Sequence, residues 1–214
     1  METTRYKKTI KNPLDFTLLK PGKNNKKLGG VITSKEWRGK TMYSLTLTER
    51  ATCPITCHHW DDCYGNNMPF AHRFDHNEDL IPKLREEIKS LLNKHSNGIV
   101  VRLHVLGDFF SEEYVDFWHN MIAAHPMLCI FGYTAREAHD PIGSGIYHMN
   151  RNFPSQCVIR HSGNYDYDDY WSYAAEESYE GKSFTCPEQT GVVKSCANCG
   201  LCWTTTKTVK FLSH

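Results

Sequence analysis

Seven of the nine cysteines stand in two groups whose spacing suits metal chemistry. Cys53, Cys57 and Cys63 share one short run, Cys-Pro-Ile-Thr-Cys-His-His-Trp-Asp-Asp-Cys. Cys186, Cys196, Cys199 and Cys202 form the second group, which ends in Cys-Ala-Asn-Cys-Gly-Leu-Cys-Trp203. Thiolates are soft ligands that select zinc, copper(I) or iron–sulfur clusters. Structural zinc sites usually pair two Cys-x2-Cys hairpins separated by a dozen or more residues. Here three cysteines share a single Cys-x2-Cys-x2-Cys run and the fourth lies upstream. That consecutive triplet is the arrangement of a cubane [4Fe–4S] cluster, and Gly200 suits a tight loop around one. Four thiolates close such a site. The three of the first group would leave one iron with an open coordination position, the feature that separates reactive metal sites from structural ones. The competing assignment is zinc, with His58 or His59 as fourth ligand of the first group. Cys129 and Cys157 stand alone in apolar runs and read as small buried hydrophobes.

The 214 residues are 40% apolar and 23% charged, a globular composition suited to one domain with a sizeable core. A net charge of +1 excludes a globally basic nucleic-acid binder and an acidic-tail protein. The first eight residues lack an apolar signal-peptide core, and no stretch approaches the roughly 18 apolar residues of a membrane span. With an odd cysteine count, these features predict a cytoplasmic protein with no membrane association and with free or metal-bound thiols. Oligomeric state is left open.

Residues 42–48 alternate as a strand and run into the first cysteine loop. Leu80, Ile81, Leu84, Ile88, Leu91 and Leu92 make one helical stripe over 79–95. A buried strand over 99–106 then stops at Gly107-Asp108. Ser111 caps a second helix, with Glu112 and Glu113 in its first turn and Tyr114, Val115, Trp118, Met121 and Ile122 as its stripe. Residues 128–134 and 156–162 read as strands, 141–152 as a short helix interrupted by Gly143 and Gly145, and 207–212 could add another strand. The alternation predicts an α/β fold, a truncated parallel (β/α) partial barrel with a cysteine-rich C-terminal segment. It divides into a basic N-terminal arm (1–40), a core carrying the first cluster (41–180) and a C-terminal cluster-binding segment (181–214). The arm has nine lysines and two arginines against three acids. It reads as a solvated, partly flexible segment or as a nucleic-acid contact. Residues 165–180 hold five tyrosines, one tryptophan and six acids, either a surface loop or an aromatic loop against substrate.

In parallel sheets ligands bind at the carboxyl edge of the strands. The first cysteine loop, Gly107-Asp108, Tyr133-Thr134-Ala-Arg136 and Arg160-His-Ser162 all follow carboxyl ends of successive strands, which predicts one composite site. Arg102 and His104 are expected to share the strand face opposite Val101, Leu103 and Val105. They would line a cavity or form a satisfied buried polar pair.

A strand leading into Cys-x3-Cys, a third cysteine followed by Tyr64-Gly65, and Gly107-Asp108 after the second strand together resemble the radical S-adenosylmethionine enzymes. The resemblance implies that Cys53, Cys57 and Cys63 hold a [4Fe–4S] cluster whose fourth iron is chelated by the cofactor's amino-acid part. It further implies that Gly107 and Asp108 hold the cofactor's amino group, and that Arg160 and Ser162 stand where its carboxylate and ribose bind. Two features depart from that superfamily: the cysteines are spaced x3 then x5 rather than x3 then x2, and Asp62 precedes the third where an aromatic is usual. Only four strands are evident, against six in the superfamily's partial barrel. More of the chain is similar to the phage gene product 88 family. The likeness rests on Cys53-Pro and Cys63-Tyr64, on Arg102-Leu-His-Val-Leu-Gly-Asp-Phe-Phe-Ser111, on Cys186-Pro, on Ser195-Cys through Cys202-Trp203, and on the end of the chain. That family implies a phage or prophage origin and no activity. The expectation is therefore an iron–sulfur protein with two [4Fe–4S] clusters, able to bind S-adenosylmethionine and served by a reductant such as flavodoxin or ferredoxin. Its substrate is not readable. The alternatives are a non-enzymatic electron-transfer or redox-sensing protein, and a zinc-stabilised nucleic-acid-binding module.

Overall fold

Short runs rich in Val, Ile and Phe, each closed by glycine or a polar residue, supply a sheet dominated by parallel pairs. The computed structural model describes residues 3–163, 173–175 and 177–212. Most of the aromatic, acidic segment at 165–180 lies outside them. In chain order the strands are β1 (Ile10–Lys11), β2 (Lys20–Pro21), β3 (Thr41–Ser44), β4 (Arg73–Phe74), β5 (Ile99–Leu103), β6 (Leu128–Thr134), β7 (Cys157–Ser162), β8 (Tyr173–Ala175), β9 (Ser183–Thr185) and β10 (Thr208–Lys210). The helices are α1 (Leu80–Lys94), α2 (Glu112–Ala124), α3 (Pro141–Asn152) and two single turns, α4 (Cys196–Cys199) and α5 (Leu201–Thr204). The main sheet runs β2-β3-β5-β6-β7-β8-β10-β9, and every pair is parallel except β2 with β3. Among the described residues its two edges do not meet, so this mixed α/β sheet is not a closed barrel. β1 and β4 form a separate parallel pair.

Period-two alternation divides the apolar residues between the two faces. Ile99, Val101, Leu103, Ile130 and Ile159 face α1, α2 and α3. Leu80, Leu84 and Ile88 of α1 are fully buried there, each contributing about 1.5–3 kcal/mol. A 15-residue helix is marginal alone, so this contact is what holds α1 in place. Met42, Val100, Cys129 and Phe131 face the opposite way and meet Leu28, Ile32, Trp37 and Trp203.

That second core overturns the picture of residues 1–40 as a solvated, flexible arm. Leu18, Leu19, Leu28, Ile32 and Trp37 are buried, and the Glu87 carboxylate accepts the backbone N–H groups of Leu18 and Leu19. Lys40 donates to the carbonyls of Asn97 and Met127, so part of the basic charge serves the fold. The helix over 141–152 is also continuous rather than interrupted. Its glycines mark close approach: a Cβ on Gly143 would lie 1.9 Å from the Glu137 carbonyl, and one on Gly145 3.1 Å from Val115 Cγ1. Asp140 caps this helix by accepting the Gly143 N–H. The second expected strand ends at Leu103 rather than at 106. Beyond it His104 packs on the helix side, 2.9 Å from the Tyr114 hydroxyl, while Arg102 stays on the other face against Phe131 and Tyr133. The two therefore do not share a face.

β5 and β6 meet most tightly at Gly132, where an added Cβ would fall 1.5 Å from the Leu103 carbonyl oxygen. Gly132→Ala should cost several kcal/mol or prevent folding, as overpacking against backbone does. Gly30→Ala, whose Cβ would meet only Lys23 Cβ at 3.4 Å, should stay within about 0.5 kcal/mol of the parent. Denaturant unfolding midpoints check the pair; equal midpoints would contradict the packing described for β5 and β6.

Candidate metal centres

The first cysteine loop leaves β3 at the carboxyl edge of the sheet, and its base is fastened by buried polar groups. The Thr52 hydroxyl donates to the Thr48 carbonyl and accepts the N–H of Asp108. Gly107 reaches this contact with φ +82°, and a Cβ there would lie 2.6 Å from Thr52 Oγ1, so the turn requires glycine. The Asp108 carboxylate, 3% exposed, accepts the Phe109 N–H, the Thr134 hydroxyl and the Ala135 N–H, each at 2.7 Å. Arg136 closes the set from β6, donating to the carbonyls of Phe109 and Thr52. His161 Nδ1 lies 2.9 Å from the Arg136 carbonyl. Of the polar groups expected at the strand ends, Thr52, Asp108, Thr134, Arg136 and His161 are joined by these bonds, whereas Arg160 and Tyr133 turn to the second cysteine group.

The far side of the loop rests on a buried ion pair, Arg73 Nε to Glu49 Oε2 at 2.7 Å. The same guanidinium donates to Thr9 Oγ1 and to the carbonyls of Gly65, Met68 and Ala71. It therefore fixes the chain just after Cys63. Sequence reasoning missed this pair; the only signal was two charges flanking the cysteine run.

Cys53, Cys57 and Cys63 are half-buried. The N–H groups of Arg50, His59 and Gly65 point at their respective sulfurs. Burial, the Asp108 charge and the neighbouring thiols push Cys53 up to about 12, and burial raises Cys57 and Cys63 as well. Nucleophilic and redox-active thiols have depressed pKa values. These thiols instead need a cation to become thiolates. His58 and His59 are exposed, with rings 4.5 Å apart, and His59 Nδ1 lies 3.1 Å from Asp62 Oδ1. Among the described residues no three His, Cys, Asp or Glu side chains close around a single-ion position.

The second group lies on the sheet face away from α1, α2 and α3. Cys186, Cys196, Cys199 and Cys202 line one cavity with Phe184, Leu201 and Val209. Gly200 links α4 to α5 at φ +75°, which reverses the chain so that the triplet faces inward. Segments distant in sequence hold it. The N–H groups of Cys196 and Ala197 donate to the carbonyls of Lys27 and Leu28, and that of Cys186 to Lys210. Trp203 stacks on Trp37 at 5.1 Å. Burial pushes Cys196 up to about 12 and raises Cys199 and Cys202.

Arg160 reaches this second group from β7. Its guanidinium donates to the carbonyls of Leu201, Cys202, Thr205 and Lys207, so its donors serve the C-terminal cysteine loop. Ser162 is half-buried at the end of β7, in register with Ala174 of β8. Cys129 and Cys157 are each 2% exposed within the two cores, as expected of lone cysteines in apolar strands.

A family model, Gene product 88, matches residues 17–205. The chain belongs to the gene product 88 family. The match spans β2, both cysteine groups, the Asp108 network and Arg160, so all these features lie inside the family's own extent. No curated protein and no solved structure matches the chain. Among the described residues no helix of this family member is long and apolar enough to cross a membrane.

Asp108 and His104 give opposite pH signatures. Burial raises Asp108 to about 6 from 3.8, so the folded chain keeps a proton that the unfolded chain has lost. Stability from this group falls as pH rises from about 4 to 6. Burial lowers His104 to about 3 from 6.5, so its contribution rises over about pH 3 to 6.5. Asp108→Asn sets an amide NH2 against the Ala135 N–H and should destabilise by about 1–3 kcal/mol. Denaturant unfolding across pH 4–6 should show the parent's advantage over Asp108→Asn shrinking as pH rises. Parallel profiles would contradict a buried, proton-retaining Asp108.

Proposed function

We propose that this chain is an iron–sulfur protein of the radical S-adenosylmethionine kind, with a [4Fe–4S] cluster on each cysteine group. The observation that carries the reading is the position of the three-thiol loop: it sits at the carboxyl edge of a parallel sheet and is fastened to Asp108. Seven successive neighbours, β3-β5-β6-β7-β8-β10-β9, run parallel, one more than the six strands of that superfamily's partial barrel. Zinc–sulfur bonds of about 2.3 Å hold thiolates roughly 3.8 Å apart, whereas a cluster several atoms wide takes thiolates spread around a cavity, as the second group is.

In this reading Cys53, Cys57 and Cys63 hold the open cluster and Cys186, Cys196, Cys199 and Cys202 the closed one. Held by Cys53, Cys57 and Cys63 and reduced by flavodoxin or ferredoxin, such a cluster would supply the one electron needed for reductive cleavage of S-adenosylmethionine to methionine and a 5′-deoxyadenosyl radical, the species that would abstract hydrogen from a substrate. The chain's own part is positional. Gly107 lets the backbone approach the cysteine loop closely, and Asp108 fixes that loop against β6 while presenting a buried anion beside Cys53 and Cys57. Arg160 keeps the closed site on β7. The setting is the reducing cytoplasm of a phage-infected bacterium, which keeps nine free thiols available.

Anaerobic reconstitution followed by iron and sulfide determination should give about eight of each per chain. Cys57→Ala and Cys199→Ala should each lose about half. Added S-adenosylmethionine should alter the paramagnetic resonance spectrum of the reduced parent and of Cys199→Ala, but not that of Cys57→Ala. Zinc without sulfide would overturn the iron–sulfur reading. Intact clusters indifferent to S-adenosylmethionine would leave an electron-transfer or redox-sensing protein.

A further inference from the structure

On the sheet face away from the long helices, behind the second cysteine group, stands Arg102. Arg102 donates to the Leu103 carbonyl at 2.7 Å and lies 4.5 Å from the ring centroid of Tyr133. Among the described residues no carboxylate pairs with it. Its charge is felt at Cys196 and Cys202 of the second group. Tyr133 is held by this stack and by the edge of Phe211, ring centroids 5.3 Å apart. From there its hydroxyl donates to Cys202 Sγ at 2.9 Å.

We infer that Tyr133 and Arg102 together set the reduction potential of the four-cysteine site and not that of the three-cysteine site. The inference rests on the iron–sulfur reading above. Reduction adds negative charge to a cluster and its thiolates. A hydrogen bond to a ligand sulfur and a nearby cation both favour the reduced form, and so raise the potential. The Tyr133 hydroxyl reaches one sulfur. The Arg102 guanidinium, stacked on the Tyr133 ring, places a positive charge behind that donor. Both residues act through the cysteines and are positioning groups.

The test is a redox titration of the reconstituted protein, with each cluster followed by its paramagnetic resonance signal. Cys57→Ala and Cys199→Ala assign the signals. Tyr133→Phe should shift only the four-cysteine cluster to more negative potential. Arg102→Gln should shift the same cluster in that direction and leave the other unmoved, and Arg102→Lys, which keeps the charge, should restore most of the change. Unchanged potentials with full iron content would overturn the inference while leaving the iron–sulfur reading intact. Loss of iron from Tyr133→Phe would make its hydroxyl a fastening for the loop, and overturns the inference for Tyr133. A parent that takes up no iron and sulfide would overturn the reading beneath it.

Discussion

The buried carboxylate of Asp108 joins the chain segments on which the candidate site depends. It lies at the end of β5, takes its hydrogen bonds from the end of β6, and offers its own N–H to Thr52 at the root of the first cysteine loop. Burying a carboxylate is unfavourable unless its oxygens are satisfied, and here three donors satisfy them. The loop between β3 and the rest of the chain is thereby tied to two further strands. A hydrophobic contact would lack this directionality. The thiols it carries are held where their ionised forms are disfavoured.

The second site depends on a different constraint. Its triplet lies on two single-turn helices, too short to be stable alone. What fixes them comes from elsewhere in the chain: the carbonyls of Lys27 and Leu28, the Trp37–Trp203 stack and the four bonds of Arg160. The basic N-terminal segment is thus part of the C-terminal site. Tyr133 and Arg102 lie on the same sheet face as this second site.

The central fold was legible where apolar periodicity ran long enough. The stripe of α1, the Ser111 cap of α2 and the apolar run of β6 follow from residue types alone. Strands of two or three residues such as β8 and β9 carry too few side chains for a period to show. The glycines of α3 looked like interruptions because their packing partners, Glu137 and Val115, are unknown until the fold is. The same holds for the sites. Cysteine spacing separated the two groups from Cys129 and Cys157, and strand ends marked Asp108 and Thr134. The Glu49–Arg73 pair, the Tyr133–Cys202 bond and the Arg160 clasp join residues far apart in the chain, and only the fold brings them together.

The central claim is a three-thiol open site beside a closed four-thiol one, and Mössbauer spectroscopy of protein reconstituted anaerobically with 57Fe tests it most directly. The account predicts that about one iron in eight has parameters distinct from the rest. Those parameters should change on adding S-adenosylmethionine and disappear with the first cluster in Cys57→Ala. A spectrum in which every iron is alike and unmoved by S-adenosylmethionine would contradict it.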